Sequence, residues 1–263
     1  MVGRSGAPSY LAIANKKCNV VKKLSIMSVG VADVVYDELE RDIADAIRER
    51  KQLVVLYASA HILNLAYKRA DLHDALSAAT IVHADGVGVW LVSKLLNGKG
   101  FRERFNWTDH AHEFLEKCAQ CHWSIFFLGS TKEVLTKAVE RINREIPSLK
   151  IVGMRNGFDD VDSDDLIRTI NGAKPDVLWV AMGAPKQELW IYRHADELDC
   201  PFIQSVGDAI SLIAGVKRRG PKFLQRLGLE WFVRLFFNPK KFFTRYVIGI
   251  PLFAARVVRQ KLR

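Results

Sequence analysis

Short apolar runs alternate along this chain with amphipathic stretches of helical length, and that alternation constrains the fold more than any other feature. The runs are Leu24–Gly30, Leu53–Ala58, Thr80–His83, Ser124–Gly129, Lys150–Gly153, Val177–Gly183 and Pro201–Val206. Between them, apolar residues recur at helical spacing over Tyr36–Arg50, His61–Arg69, Val87–Leu96, Asp109–Cys121, Lys132–Glu145, Asp164–Asn171 and Lys186–Glu197. This pattern predicts an α/β fold, a Rossmann-like and mostly parallel sheet with helices on both faces. Strands covered on both faces read as continuous apolar runs, as "VLWVAMG" does.

Open sheets of this kind take their ligands beyond the carboxyl ends of the strands. The polar residues there are therefore the candidates: Ser59, His61, Asp85, Gly129, Ser130, Pro185, Lys186, Gln187, Glu188 and Gly207. Gly129-Ser130-Thr131 joins a strand to a helix, where free N–H groups suit a phosphate or ribose. The same residues equally suit an ordinary capped helix. Asp85-Gly86 is a common turn pair, and it also sets a carboxylate at the sheet mouth as a general base. Gly86 and Gly88 begin a dinucleotide fingerprint, but Leu91 stands where its third glycine belongs. No G-K-[ST] follows, so NAD-type and P-loop chemistry lose their support. In "MGAPKQE", Gln187 suits a base edge or sugar hydroxyl and Lys186 a phosphate. Glu188 is either a ligand contact or a partner for the helix dipole.

Charge divides the chain unevenly. The net charge is +10, yet Val216–Arg263 carries 13 Lys and Arg against the single acid Glu230. This marks an N-terminal extension at 1–23, an α/β domain at 24–215 and a basic helical appendage at 216–263, with a polyanionic partner for the last. Arg219, Arg226 and Arg234 suit diphosphate oxygens, since guanidinium forks match that geometry. Seven aromatics interleave with Lys240, Lys241 and Arg245, a signature that favours an anionic membrane surface over nucleic acid. No run reaches the roughly 18 apolar residues of a spanning helix, and no secretory signal is evident. The four cysteines lack zinc-ligand spacing and fit a reduced, cytosolic setting. "DSDD" at Asp162–Asp165 reads as a helix cap rather than a metal site. The oligomeric state stays open, a homo-oligomer included.

"DGVGVW", "ERFNWTD", "FFLGS", "NGF", "PDVLWVAMGAPKQELWI", "VGDAISLIAGVKRRGP" and "LEWFVRLFFNP" follow one another over well more than half of the chain. As an ordered set they resemble the WecG/TagA/CpsF glycosyltransferase family, glycosyltransferase family 26, and most of all its xanthan-pathway glucosyltransferase branch. The resemblance implies inverting transfer from a UDP-sugar to a sugar on a polyprenyl diphosphate. The protein would sit peripherally on the cytoplasmic face of the inner membrane. In the glucosyl form, UDP-glucose and glucosyl-diphosphate-undecaprenol give a β-1,4-linked cellobiosyl lipid for exopolysaccharide synthesis. Carried over by position, the catalytic residues are Asp85, as base, and Arg104. Pro185, Lys186, Gln187 and Glu188 carry over as donor contacts, to which the strand-end reading adds Gly129, Ser130 and Gly207. Arg219 and Arg234 carry over as acceptor and diphosphate contacts, to which the reading of the residues adds Ser59, His61 and Arg226.

Three positions depart from the family pattern. Tyr57-Ala58-Ser59 stands for T-x-N, Trp107 for a glycine, and Ile210-Ser211 for F-D. As neighbours of the sugar region, they point away from N-acetylmannosamine as the donor sugar. Arginines would do the work of a metal, so no cofactor and no metal are expected. An N-acetylmannosaminyltransferase of the same family is the alternative. From another class, the alternative is a nucleotide- or nucleic-acid-binding regulatory protein.

Overall fold

The computed structural model describes residues 22–104, 106–217, 220–221, 223–224 and 228–262. Eight strands form one sheet: β1 (Lys23–Ile26), β2 (Val29–Ala32), β3 (Leu53–Ala58), β4 (Ile81–Ala84), β5 (Ser124–Gly129), β6 (Lys150–Arg155), β7 (Val177–Ala181) and β8 (Phe202–Ser205). Their order is β1-β2-β4-β3-β8-β7-β5-β6, parallel throughout except for the β1–β2 pair. The chain runs from β4 at one side across to β5 at the other, so β3, β8 and β7 hold the centre. Crevices at such crossovers are where ligands lodge in open sheets.

Helices cover both faces, as the alternation predicts. One face carries α1 (Tyr36–Glu49), α5 (Trp107–Gln120), α6 (Lys132–Glu145) and α9 (Ala209–Ile213). In α1 the buried residues Tyr36, Leu39, Ile43 and Ile47 recur every three or four positions, which lays one apolar stripe on the sheet. The other face carries α2 (Ala60–Ala66), α3 (Ala70–Ala78), α4 (Val87–Asn97), α7 (Asp164–Ala173) and α8 (Lys186–His194). Trp179 and Trp190 are wholly buried, one on each side. Ser163 caps α7 through its hydroxyl, which accepts from the Leu166 N–H at 3.4 Å.

Two segments differ from expectation. Leu24–Gly30 is a hairpin, not one strand, because Met27 and Ser28 turn the chain at φ 53° and 69°. Neither residue belongs to the Asn-Gly type that announces a two-residue hairpin turn. Between Ala70 and Ala78 a further helix forms, with Leu72, Ala75, Leu76 and Ala78 buried.

The basic appendage is helical, with α10 (Glu230–Phe237), α11 (Pro239–Phe243), a π-helical turn (Thr244–Ile248) and α12 (Gly249–Lys261). It is divided in its packing. Phe253 and Val257 of α12 are buried in the same core as α2 and α4. Asn64 donates to the Gly249 carbonyl at 2.7 Å, and Arg256 donates to the Asn64 side-chain oxygen at 2.8 Å. Gln260 binds the β1–β2 hairpin, accepting from the Met27 N–H at 2.7 Å and donating to the Ser25 carbonyl at 2.8 Å. A boundary at residue 215 therefore marks a change of charge, while α12 shares the core of the body.

Candidate active site

The centre of the sheet gathers the polar strand ends. Gln187 and Glu188 open α8 and are wholly buried. The Gly183 N–H donates to Gln187 Oε1 at 3.2 Å, and the Gln187 N–H returns a bond to the Gly183 carbonyl at 3.1 Å. This fixes which end of the amide is which. Gln187 Nε2 then donates to Glu188 Oε1 at 2.7 Å and to the Tyr57 hydroxyl at 3.1 Å. Among the described residues, buried Glu188 Oε2 has no hydrogen-bond partner. Burial pushes the Glu188 carboxyl up to about 7, against the hydrogen bonds from Gln187 and its own backbone. Glu188 is thus more than a surface partner for the helix dipole.

Asp85 follows β4, half-buried, with its N–H bonded to the Ala58 carbonyl at 2.9 Å. Burial raises its carboxyl to about 6, and the guanidinium groups of Arg234 and Arg245 restrain the rise. Glu230 and Asp109 act in the opposite sense to those arginines. A carboxylate poised near 6 is ionised at neutral pH and still basic enough to accept a proton.

The appendage brings cations to this carboxylate. Arg234 bonds to Glu230 at 2.8 Å and to Asp208, just after β8, at 3.3 Å. Lys217 also bonds to Asp208. Burial works against ionisation of Asp208, but Lys217 and Arg234 outweigh it and hold its carboxyl below the usual range. Arg245, in the π-helical turn, is half-buried, and its charge acts on Asp85, Tyr57, His61 and Asp208. Among the described residues its guanidinium bonds to no carboxylate; it lies 5.4 Å from the Tyr246 ring centre. Sequence reasoning assigned Arg245 to the membrane-facing set. Its spacing among aromatics gave no sign that it turns inward.

The remaining expected residues divide. Ser59 caps α2, accepting from the Ile62 N–H at 3.3 Å. His61 is half-buried, and burial together with Arg245 lowers its imidazole to about 4, so the ring is neutral. Lys186 donates to the Gly157 carbonyl at 2.7 Å and ties the loop after β7 to the loop after β6. Gly129 passes so close to β7 that an added Cβ would lie 2.4 Å from the Ala181 carbonyl carbon. Ser130 sits at φ 59°, with its N–H bonded to the Ala181 carbonyl at the end of β7 and its carbonyl to the Gly157 N–H. Thr131, not Ser130, caps α6. Gly207 has φ 54°, and a Cβ there would lie 3.0 Å from the Tyr57 hydroxyl. Pro185 precedes α8 as its cap residue. Arg104 is exposed on the loop before α5. Arg219 and Arg226 lie outside the described residues. Of the departures from the family pattern, Trp107 and Ile210 are core residues, Ser59 caps α2, and Tyr57 bonds to Gln187 at the sheet mouth.

Fold and site together define an α/β protein in which a raised carboxyl at a strand's carboxyl end lies under the charge of cations from a C-terminal appendage. Comparison with known proteins makes the class a glycosyltransferase: the model described as "Glycosyl transferase WecG/TagA/CpsF family" matches residues 24–263, and the chain belongs to that family. A Bacillus subtilis relative is 30% identical over 226 residues, 86% of this chain and 85% of its own length. A Bacillus spizizenii relative is 29% identical over 213 residues, 81% of each chain. One from Staphylococcus aureus is 27% identical over 241 residues, 91% of this chain and 93% of its own. All three are named N-acetylglucosaminyldiphosphoundecaprenol N-acetyl-beta-D-mannosaminyltransferase. These names do not support glucose as the donor sugar or a xanthan pathway, and they favour the N-acetylmannosaminyl alternative.

Proposed function

We propose that this chain transfers N-acetylmannosamine from its UDP derivative to N-acetylglucosaminyl-diphosphate-undecaprenol, with inversion at the anomeric carbon. The observation that carries the reading is the placement of Asp85 at the carboxyl end of β4, next to the central strands, under the charges of Arg234 and Arg245. The relatives' names supply the sugar and the lipid.

In this mechanism the Asp85 carboxylate takes the proton of the acceptor hydroxyl as its oxygen attacks the anomeric carbon. The bond to UDP breaks, and the electron pair leaves with the diphosphate. Arg245, free of carboxylate bonds among the described residues, offers its fork to that charge. Arg234 adds charge from its bridge between Glu230 and Asp208. No metal is required in this scheme.

The appendage suits a peripheral seat on an anionic membrane. Phe236 and Phe237 are each 73% exposed beside Lys240. No helix among the described residues is long and apolar enough to cross a bilayer.

Glucose is the second reading. It is favoured by Tyr57, whose phenol crowds Gly207 where the family pattern has threonine. A panel of UDP-N-acetylmannosamine, UDP-N-acetylglucosamine and UDP-glucose, each with the lipid-linked N-acetylglucosamine and glucose acceptors, tests the proposal. Acceptor-dependent UDP release that is greatest with UDP-N-acetylmannosamine and survives EDTA is the expected result. Greatest turnover with UDP-glucose selects the second reading, and no turnover with any donor overturns both.

A further inference from the structure

The chain of bonds that fixes Gln187 has an open end. Both Nε2 hydrogens of Gln187 are used, one on Glu188 and one on Tyr57. The Tyr57 oxygen is therefore the acceptor in its bond to Gln187. Its own proton has no acceptor among the described residues. Burial, and next the carboxylates of Glu188 and Asp85, raise the phenol well above its ordinary value, so that proton stays in place at working pH.

Position matters as much as protonation. Tyr57 is the penultimate residue of β3 and is half-buried, with its oxygen beside Gly207, just after β8. Both positions lie at the carboxyl ends of neighbouring central strands, where open sheets take their ligands. A half-buried O–H held from behind by a rigid amide is a prepared donor. An unpaired polar group in such a site discriminates strongly between ligands that offer an oxygen and those that do not.

We propose that Tyr57 is a specificity-determining residue whose O–H donates to an oxygen of the donor's sugar moiety, while its ring limits the room beside Gly207. The inference rests on the transferase reading above, and it concerns a tyrosine that stands where the family pattern has threonine and that is absent from the expected site residues. Gln187 and Glu188 act behind it as positioning residues: they orient the phenol and leave its proton for the ligand.

The test uses the full chain and its Tyr57→Phe variant. Affinities for UDP and for UDP-N-acetylmannosamine are measured calorimetrically, alongside donor KM, acceptor KM and kcat. Loss of one neutral hydrogen bond predicts a fall of about tenfold in the affinity ratio of UDP-sugar to UDP. The donor KM rises with it, and the acceptor KM stays within twofold. Damage to Gln187 or to the fold would weaken UDP itself and leave that ratio unmoved. An unchanged ratio overturns the inference, whether or not overall affinity falls. A Tyr57→Thr variant adds a check on the ring: it raises kcat/KM for the bulkier N-acetylated donors relative to UDP-glucose, and no shift in preference refutes the limit on room. Altered sugar affinity without any transfer by the native chain keeps the contact and overturns the transferase reading. No binding of any UDP-sugar overturns both.

Discussion

The sheet mouth and the C-terminal appendage contribute opposite kinds of groups to one site. At the mouth, Tyr57, Gln187 and Glu188 are locked to one another on strand ends and a helix start, and Glu188 is a carboxyl that burial keeps near the point of neutrality. In the appendage the groups are guanidinium ions on short helices, and the other faces of those helices expose phenylalanine. The difference divides the labour. Geometry and proton affinity come from the rigid sheet, while positive charge comes from a segment that also meets the surroundings.

The largest effect should follow from removing the base. Asp85→Asn keeps the shape of the mouth and deletes the proton acceptor, so kcat should fall by roughly 10²–10⁴ while UDP affinity holds. Turnover within tenfold of native would take the base away from Asp85 and erase the division.

A contrast within the appendage comes next. Phe253 is 3% exposed in the shared core, whereas Phe236 is 73% exposed. Phe253→Ala should cost about 3–5 kcal/mol in chemical denaturation. Phe236→Ala should stay within about 0.5 kcal/mol and instead weaken binding to anionic vesicles. Equal costs would mean that α12 is no more part of the body than α10.

Glu188 gives a smaller effect with a defined sign. Its folded carboxyl is raised to about 7, above the unfolded value of about 4.3. Its contribution to stability is therefore full below about 4.3 and is lost as pH rises through 7, on the order of 3 kcal/mol in all. Glu188→Gln should flatten that part of the difference between denaturation midpoints at pH 5 and pH 8. A difference as large as native would show that Glu188 is ionised at no cost.

Much of this was legible in the sequence, and the limits have physical causes. The parallel sheet followed from buried apolar runs, and Asp85, Gln187 and Glu188 followed from their places after those runs. The β1–β2 hairpin did not, because its turn uses Met27 and Ser28 rather than glycine or asparagine. Helix α3 did not, because Arg69 at its start makes no side-chain cap. The bond between Tyr57 and Gln187 spans 130 positions, and no local spacing announces it. Arg245 shares its spacing with exposed apolar neighbours such as Phe243 and Val247, and only the structure brings its charge to bear on Asp85.

The central claim is that cations of the appendage act directly on the carboxylate of the sheet mouth, and the pH dependence of kcat/KM tests it. The native enzyme should rise through a limb near 6, set by Asp85. Arg245 restrains that carboxyl, so Arg245→Ala should carry the limb to higher pH as well as lower its plateau. A lower plateau with the limb unmoved would contradict the claim and place Arg245 away from Asp85.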